Sequence, residues 1–145
     1  MPKITRLLHI VSWITLGLAI GLMSYIYYML FWPYQILKLN TPVYVNATNV
    51  RSGETLYFTV DYCKYMDIPG TVQRKIIDDI VISFPEEPIN AAVGCRKDTR
   101  SIKLPKEISP GPYKLETAVT YHPNPLRTVV IRSTSNTFNV TKSAE

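Results

Sequence analysis

Charge is missing from the start of this chain. Between residues 7 and 37 there is no Asp, Glu, Lys or Arg, which excludes a solvated surface segment. Histidine is scarce: there are two in all, and only His122 stands outside the apolar run. Cysteine is scarce too, with Cys63 and Cys95 alone, and neither C-x-x-C nor H-x-x-x-H spacing occurs. A metal would have to draw on Cys63, Cys95, His122 and a carboxylate without the spacing that metal frameworks use. A blue-copper site needs a Cys and two His, one His more than residues 38–145 contain. No G-x-S-x-G is present, which removes the usual nucleophile elbow. The 6 glycines form no phosphate-cradling loop. Asp78-Asp79 and Glu86-Glu87 are adjacent pairs, and neighbours on a strand point to opposite faces, so neither is an acid/base dyad. The expectation is a protein without catalytic equipment, metal or cofactor.

What is present first is the apolar run itself. A bilayer core needs about 20 apolar residues to span it. A secretory signal has an apolar core of about 7–15 residues and then a small-residue cleavage site. This run is longer, and its exit is aromatic: Tyr25, Tyr27, Tyr28, Phe31, Trp32 and Tyr34, with Trp13 near the other side. That is the composition of an interfacial belt. A retained anchor helix over 7–32 is therefore expected, about 39 Å long at 1.5 Å per residue and so tilted or interfacial at its ends. Pro33 is expected to end it.

Lys3, Arg6 and the α-amino group precede the run, and Lys38 alone follows closely. The positive-inside bias places residues 1–6 in the cytoplasm and the rest of the chain across the membrane, in a periplasm, a lumen or the exterior. Inside the run, Gly17 and Gly21 form a G-x-x-x-G with Ser24 on nearly the same face. Small residues at that spacing let helices approach closely. The plainer reading is that glycine is common in membrane helices. His9 sits near the cytoplasmic end, within reach of headgroups.

Residues 38–145 carry 14 Lys and Arg against 11 Asp and Glu. That mild excess suits anionic headgroups and makes no case for nucleic acid. After a linker over 33–41, the pattern turns to strands. Residues 42–46 alternate. Over 54–64, Leu56, Phe58, Val60 and Tyr62 share one face while Tyr57, Thr59, Asp61 and Cys63 take the other. Residues 71–84 read as one strand with Ile76, Ile80, Ile82 and Phe84 inward. Residues 89–95 and 100–104 read as two short strands around a polar turn at 96–99. Tyr113, Leu115, Thr117, Val119 and Tyr121 fall on one side of a strand that His122-Pro123-Asn124-Pro125 turns. Residues 127–133 return and 137–141 finish, with a frayed tail over 142–145. Seven or eight short strands with regular turn signals predict a mainly β fold, an antiparallel β-sandwich over 42–141.

Three segments resemble the immunoglobulin-like class, which includes fibronectin type III modules. Ser52-Gly53-Glu54-Thr55-Leu56 resembles the G-E-T lead into a B-like strand. Pro110-Gly111-Pro112-Tyr113-Lys114-Leu115 resembles the P-G-x-Y lead into an F-like strand. Ser135-Asn136-Thr137-Phe138-Asn139-Val140 resembles a closing strand. The resemblance spans roughly residues 42–140 and implies an Ig-like sandwich. The chain departs from the antibody type in two ways: both Trp residues lie in the apolar run, and Cys95 precedes the F-like strand.

Cys63 and Cys95, an even count outside the cytoplasm, suggest one disulfide. Arg96, Lys97, Arg100, Lys103 and Lys106 form the densest basic segment, a candidate surface for headgroups or an acidic partner. Its plainer reading is an edge strand guarded against pairing. Asn46-Ala47-Thr48 and Asn139-Val140-Thr141 fit the glycosylation pattern. The loops over 65–70 and 121–127 are candidate interfaces, with Tyr65, Met66, Tyr121, His122, Asn124 and Arg127 as anchors. The expected function is a membrane-held binding or structural module, an accessory subunit whose partner is another membrane protein or a second copy. No small-molecule substrate and no nucleic acid is evident. Two rivals stand beside it. One is a metallochaperone or redox assembly factor using Cys63 and Cys95. The other is an envelope or virion structural protein that self-associates through Gly17 and Gly21.

Overall fold

The computed structural model describes residues 2–32 and 34–142. The chain divides into two compact units, Met1–Tyr34 with Asn124–Arg127, and Gln35–Pro123 with Thr128–Glu145.

The first unit is built on a single helix, α1 (Pro2–Phe31). Proline is tolerated at a first helical position, where its missing N–H would be unpaired anyway. No further proline occurs before Pro33, and the helix runs unbroken to Phe31. The stretch Arg6–Phe31 is long and apolar enough to cross a membrane, a property shared by membrane anchors and signal sequences. Its large side chains are exposed on all sides, Trp13 at 72% among them. A water-soluble helix would show one apolar stripe instead. Aromatic pairs stack one turn apart near its end, Tyr27 on Phe31 at 4.7 Å and Tyr28 on Trp32 at 4.9 Å. Helix termini leave carbonyls without intrahelical donors. Here the segment Asn124–Arg127 supplies them: Asn124 Nδ2 donates to Met29 O at 2.9 Å, and Arg127 Nη1 donates to Leu30 O at 2.9 Å and to Trp32 O. The helix stop expected at Pro33 lies outside the described residues, as does the tail expected over 142–145 apart from Lys142.

The second unit is mainly β. Its strands are β1 (Leu37–Leu39), β2 (Tyr44–Val45), β3 (Asn49–Arg51), β4 (Thr55–Lys64), β5 (Gly70–Ile77), β6 (Val81–Ser83), β7 (Glu87–Ile89), β8 (Gly94–Lys103), β9 (Gly111–Asn124) and β10 (Arg127–Thr141). They make two sheets. In the first, β4 is central, with β8 on one side and β1 and β2 on the other; in the second, the order is β3-β10-β9-β5, with β6 and β7 both on β5. The sheets share one core: Leu56 and Phe58 meet Ile76, Leu115, Phe138 and Val140, each almost fully buried. These are the positions that period-two alternation assigns to one face of each strand.

Side chains tie the sheets where backbone ladders end. Val43 N donates to Ser133 Oγ at 2.9 Å, and the Asn136 amide accepts from Val45 N at 2.7 Å and donates to Val45 O at 3.3 Å. Asn136 thus stands in for the strand that β2 lacks, which satisfies backbone groups that burial would otherwise penalise.

Four segments differ from the sequence reading. Leu37–Leu39, expected within a linker over 33–41, form β1 and pair with β4. The polar run 96–99 is no turn: β8 is continuous and pairs with β4 through ten consecutive registers, from Thr55↔Lys103 to Lys64↔Gly94. Among the described pairings β8 contacts no other strand, and an edge strand tolerates charge that a central strand would not. The stretch 71–84 breaks into β5 and β6, with Ile77 registered on Val81. Asp78-Asp79 make the reversal, and Ile80, expected inward, is 66% exposed. The His122-Pro123 pair sits inside β9, so the turn shrinks to Pro125-Leu126, and β10 runs unbroken to Thr141.

Candidate functional site

A cavity of about 290 Å³ lies between the two sheets of the second unit. One wall comes from β5 and β9. Arg74 and Thr117 are paired in register there, both on the inward phase, and Val72 faces Val119 one step along. The opposite wall comes from β4 and β8, where Phe58 pairs with Arg100 and Val60 with Asp98. Leu37 and Leu39 of β1 and Pro88 and Ile89 at β7 complete the apolar lining.

Arg74 is an unusual residue for an inward strand position. Its side chain is 12% exposed, while its partner Glu87, bonded Nη1 to Oε2 at 2.7 Å, is 62% exposed. The buried member of the pair is therefore the cation. Its guanidinium lies 5.6 Å from the Phe58 ring centroid, a cation–π contact across the two sheets. Its Nε has no hydrogen-bond partner. Two more buried polar atoms without partners belong to lining residues: Thr117 Oγ1 and Tyr121 OH. An unsatisfied buried polar group costs roughly 1–3 kcal/mol. Three at one cavity is the feature of this fold that packing alone does not explain.

Tyr121 is held in place by a glycine. A Cβ on Gly70, its register partner, would lie 2.6 Å from Tyr121 Cε1 and 2.9 Å from Thr120 O. Burial pushes the Tyr121 hydroxyl above the usual phenol range, and the nearby Tyr62 adds to it. Tyr62 is raised as well, first by burial and then by Asp98, to whose Oδ2 it donates at 3.2 Å. Asp98 also accepts from Arg100 Nη2 at 3.2 Å. Both lining carboxylates are thus already paired, and each unpaired group can donate: Arg74 Nε–H donates only, and the Thr117 and Tyr121 hydroxyls donate or accept. Such an arrangement is suited to holding an acceptor.

Several sequence candidates fall elsewhere. Cys63 and Cys95 are bonded to each other and are register partners on β4 and β8, so the link joins neighbouring strands within one sheet. Both sulfurs that a thiolate metal site would use are in that bond. A disulfide suggests an oxidising compartment. Among the described residues no group of three or more His, Cys, Asp or Glu comes together. The basic segment does not form one surface. The register puts Arg96 and Arg100 on the inner phase of β8 and Lys97 and Lys103 on the outer, while Lys106 lies beyond the strand. Of the loop anchors, Tyr65 is exposed and Met66 half-buried. Tyr121 is fully buried in β9, which removes it as a surface anchor. His122 is exposed and its Nδ1 is 3.1 Å from Thr128 Oγ1. Asn124 and Arg127 bond the helix carbonyls described above. Gly17 and Gly21 have no neighbour within 4 Å of an added Cβ. Asn46 and Asn139 are exposed.

Arg74 was not singled out from sequence. The signal existed: Val72, Arg74 and Ile76 share one strand face, so a charge sits where only apolar residues are expected.

Comparison with protein families and with curated proteins finds no match. Among solved structures, the chain is similar to an alkylpurine DNA glycosylase of Pseudomonas fluorescens, at 12% identity over 74% of this chain and 31% of that one, with a TM-score of 0.45. It is similar to a CARDB domain from Pyrococcus furiosus, at 13% identity over 76% and 91% of the two chains, with a TM-score of 0.42. A Porphyromonas gingivalis protein of unknown function gives 13% identity over 74% and 48%, with a TM-score of 0.43. The chain thus spans under a third of the glycosylase and about half of the Porphyromonas protein. Likenesses at this level carry no functional argument.

Proposed function

We propose that this chain is a single-pass membrane protein with its N-terminus in the cytoplasm and an Ig-like β-sandwich outside it. The sandwich serves as a non-enzymatic binding or structural module, a small accessory subunit of a membrane or envelope assembly. The observation that carries this reading is the succession of a helix long and apolar enough to span and a disulfide-bonded β unit. The disulfide favours an oxidising side for the β unit, in agreement with the basic residues in the first turns of the helix, ahead of its apolar stretch. The Ig-like assignment draws on two sheets around one core, with the G-E-T and P-G-x-Y segments leading into β4 and β9. The binding role draws on polar groups that are donors or already-paired carboxylates, and on β8, whose outer edge leaves main-chain groups free for another strand.

Cross-linking in intact membranes tests the reading, followed by extraction of the full-length protein and mass spectrometry of what is covalently joined to it. A second membrane protein in stoichiometric amount, joined through residues of β8 or of 65–70, is the expected result. Self-linked species alone would replace the accessory subunit with a homo-oligomeric structural protein.

A further inference from the structure

We propose that the inter-sheet cavity is a binding site for a small amphipathic monocarboxylate, whose head is held by Arg74, Thr117 and Tyr121 and whose alkyl part lies along the apolar lining. The proposal goes beyond the membrane-module reading and does not depend on it, because every lining residue belongs to the second unit.

The choice of head group follows from the donors. Arg74 Nε–H can only donate, and the Thr117 and Tyr121 hydroxyls each bring one hydrogen. All three atoms are buried and without a partner. A carboxylate has two oxygens with about four lone-pair sites and can accept from all three at once, whereas one alcohol or ether oxygen offers two. Charge points the same way: Arg74 is the buried member of its ion pair and Glu87 the solvated one, so of the two it is the cation that lies deeper in the lining. Asp98 is the other anion on the lining, and its Oδ2 is already engaged by Tyr62 and Arg100. Tyr62, the remaining titratable neighbour, directs its hydroxyl to Asp98 and does not compete for the head.

The choice of tail follows from the walls and the volume. Leu37, Leu39, Val60, Val72, Ile89 and Val119 offer an aliphatic surface, and among the described residues no further buried side-chain donor or acceptor of the lining lacks a partner. A volume of about 290 Å³ is at the small end of ligand sites. At about 30 Å³ per water it equals roughly ten waters, so the ligand has on the order of ten non-hydrogen atoms. A straight-chain acid of about eight carbons has that size. The three donors are closed off from solvent, so a ligand engages them only as the lining side chains move aside.

The test uses the full-length protein in its membrane and a medium-chain fatty acid carrying a photoreactive diazirine, with labelled positions mapped by peptide mass spectrometry. The expected result is labelling within β1, β5 and β9 that excess octanoate competes away. Thr117→Val and Tyr121→Phe keep shape and remove a donor each. Either should lower cavity labelling about tenfold, with the Cys63–Cys95 bond intact as the check on folding. Arg74→Met should abolish labelling by the acid. Should that variant misfold, the methyl ester of the probe on the unmodified protein replaces it, and the ester should label the cavity at least tenfold less. Labelling confined to helix α1 would mean that the probe only dissolves in lipid and would overturn the proposal. So would cavity labelling that the hydroxyl variants leave unchanged, or ester labelling equal to that of the acid. A membrane topology opposite to the one proposed above would leave the labelling pattern as it is.

Discussion

At the scale of single residues, the tightest constraint is the pairing of Gly70 with Tyr121. The ring occupies the space a β-carbon would need, and Thr120 O closes the other side, so the clash involves backbone as well as side chain. Gly70→Ala should therefore destabilise the domain by about 1–3 kcal/mol, the usual cost of overpacking. Chemical denaturation of wild type and variant would show it, and Gly70→Ala combined with Tyr121→Ala should recover part of the overpacking loss if the ring is the obstacle. Three tyrosines also carry a pH signature. Burial raises the Tyr62, Tyr113 and Tyr121 hydroxyls above the usual phenol range. A phenol is neutral when protonated, so a raised folded value means that the fold disfavours the phenolate. The contribution of these groups to stability is complete below about pH 10, the unfolded value. It is lost as pH rises through the raised folded values. Absorbance at 295 nm should resolve a late-titrating group of tyrosines in the folded protein that merges with the others in denaturant. A single transition in both states would show that burial does not hold these hydroxyls neutral.

At the scale of elements, the disulfide is the clearest lever. It links register partners 32 residues apart in sequence, and closing a loop of that length is worth about 3–4 kcal/mol on the chain-entropy estimate. Cys63→Ala with Cys95→Ala should lower the denaturation midpoint accordingly while β4 and β8 stay paired, because ten registers hold them besides the sulfur bridge. Retention of the far-ultraviolet β spectrum with a reduced midpoint is the expected pair of observations; loss of the spectrum at rest would mean that the bridge is needed to form the sheet. How far these elements were legible depended on what burial does to each strand. β4 and β9 could be read because one face of each is core and the alternation is clean. β8 could not, because an edge strand with Arg and Asp on one face and Lys on the other has no apolar alternation to read, and its polar middle imitates a turn. The break between β5 and β6 was hidden by isoleucines on both sides of Asp78-Asp79, which imitate one continuous strand. The cavity was half legible. Thr117 and Tyr121 could be placed on one face of the same strand, but which polar groups face inward and find partners depends on strand register across two sheets, and the sequence of one strand does not contain that.

At the scale of the whole molecule, the apolar helix decides where the domain works, and two histories of that helix give different products. A retained anchor leaves a full-length chain that resists alkaline carbonate extraction, because a mainly apolar stretch of 26 residues in a bilayer is not displaced by charge or pH. A processed signal leaves a shorter, soluble β domain. Intact mass and carbonate extraction of the mature protein therefore separate them, and the expected outcome is the full-length mass in the membrane pellet. Sidedness is then read by protease protection with an epitope at the C-terminus. With Lys3 and Arg6 cytoplasmic, the epitope should be protected in sealed vesicles whose cytoplasmic face is outward and cut in vesicles of the opposite sense. The disulfide gives an independent check on the same point. In the proposed orientation Cys63 and Cys95 should be found oxidised in protein alkylated directly in cells, since that side of the membrane is not held reduced by glutathione. Reduced thiols together with an epitope cut in cytoplasm-outward vesicles would place the β domain in the cytoplasm. An oxidised pair with a protected epitope would fix both the orientation and the compartment in which a carboxylate ligand or a membrane partner must be sought.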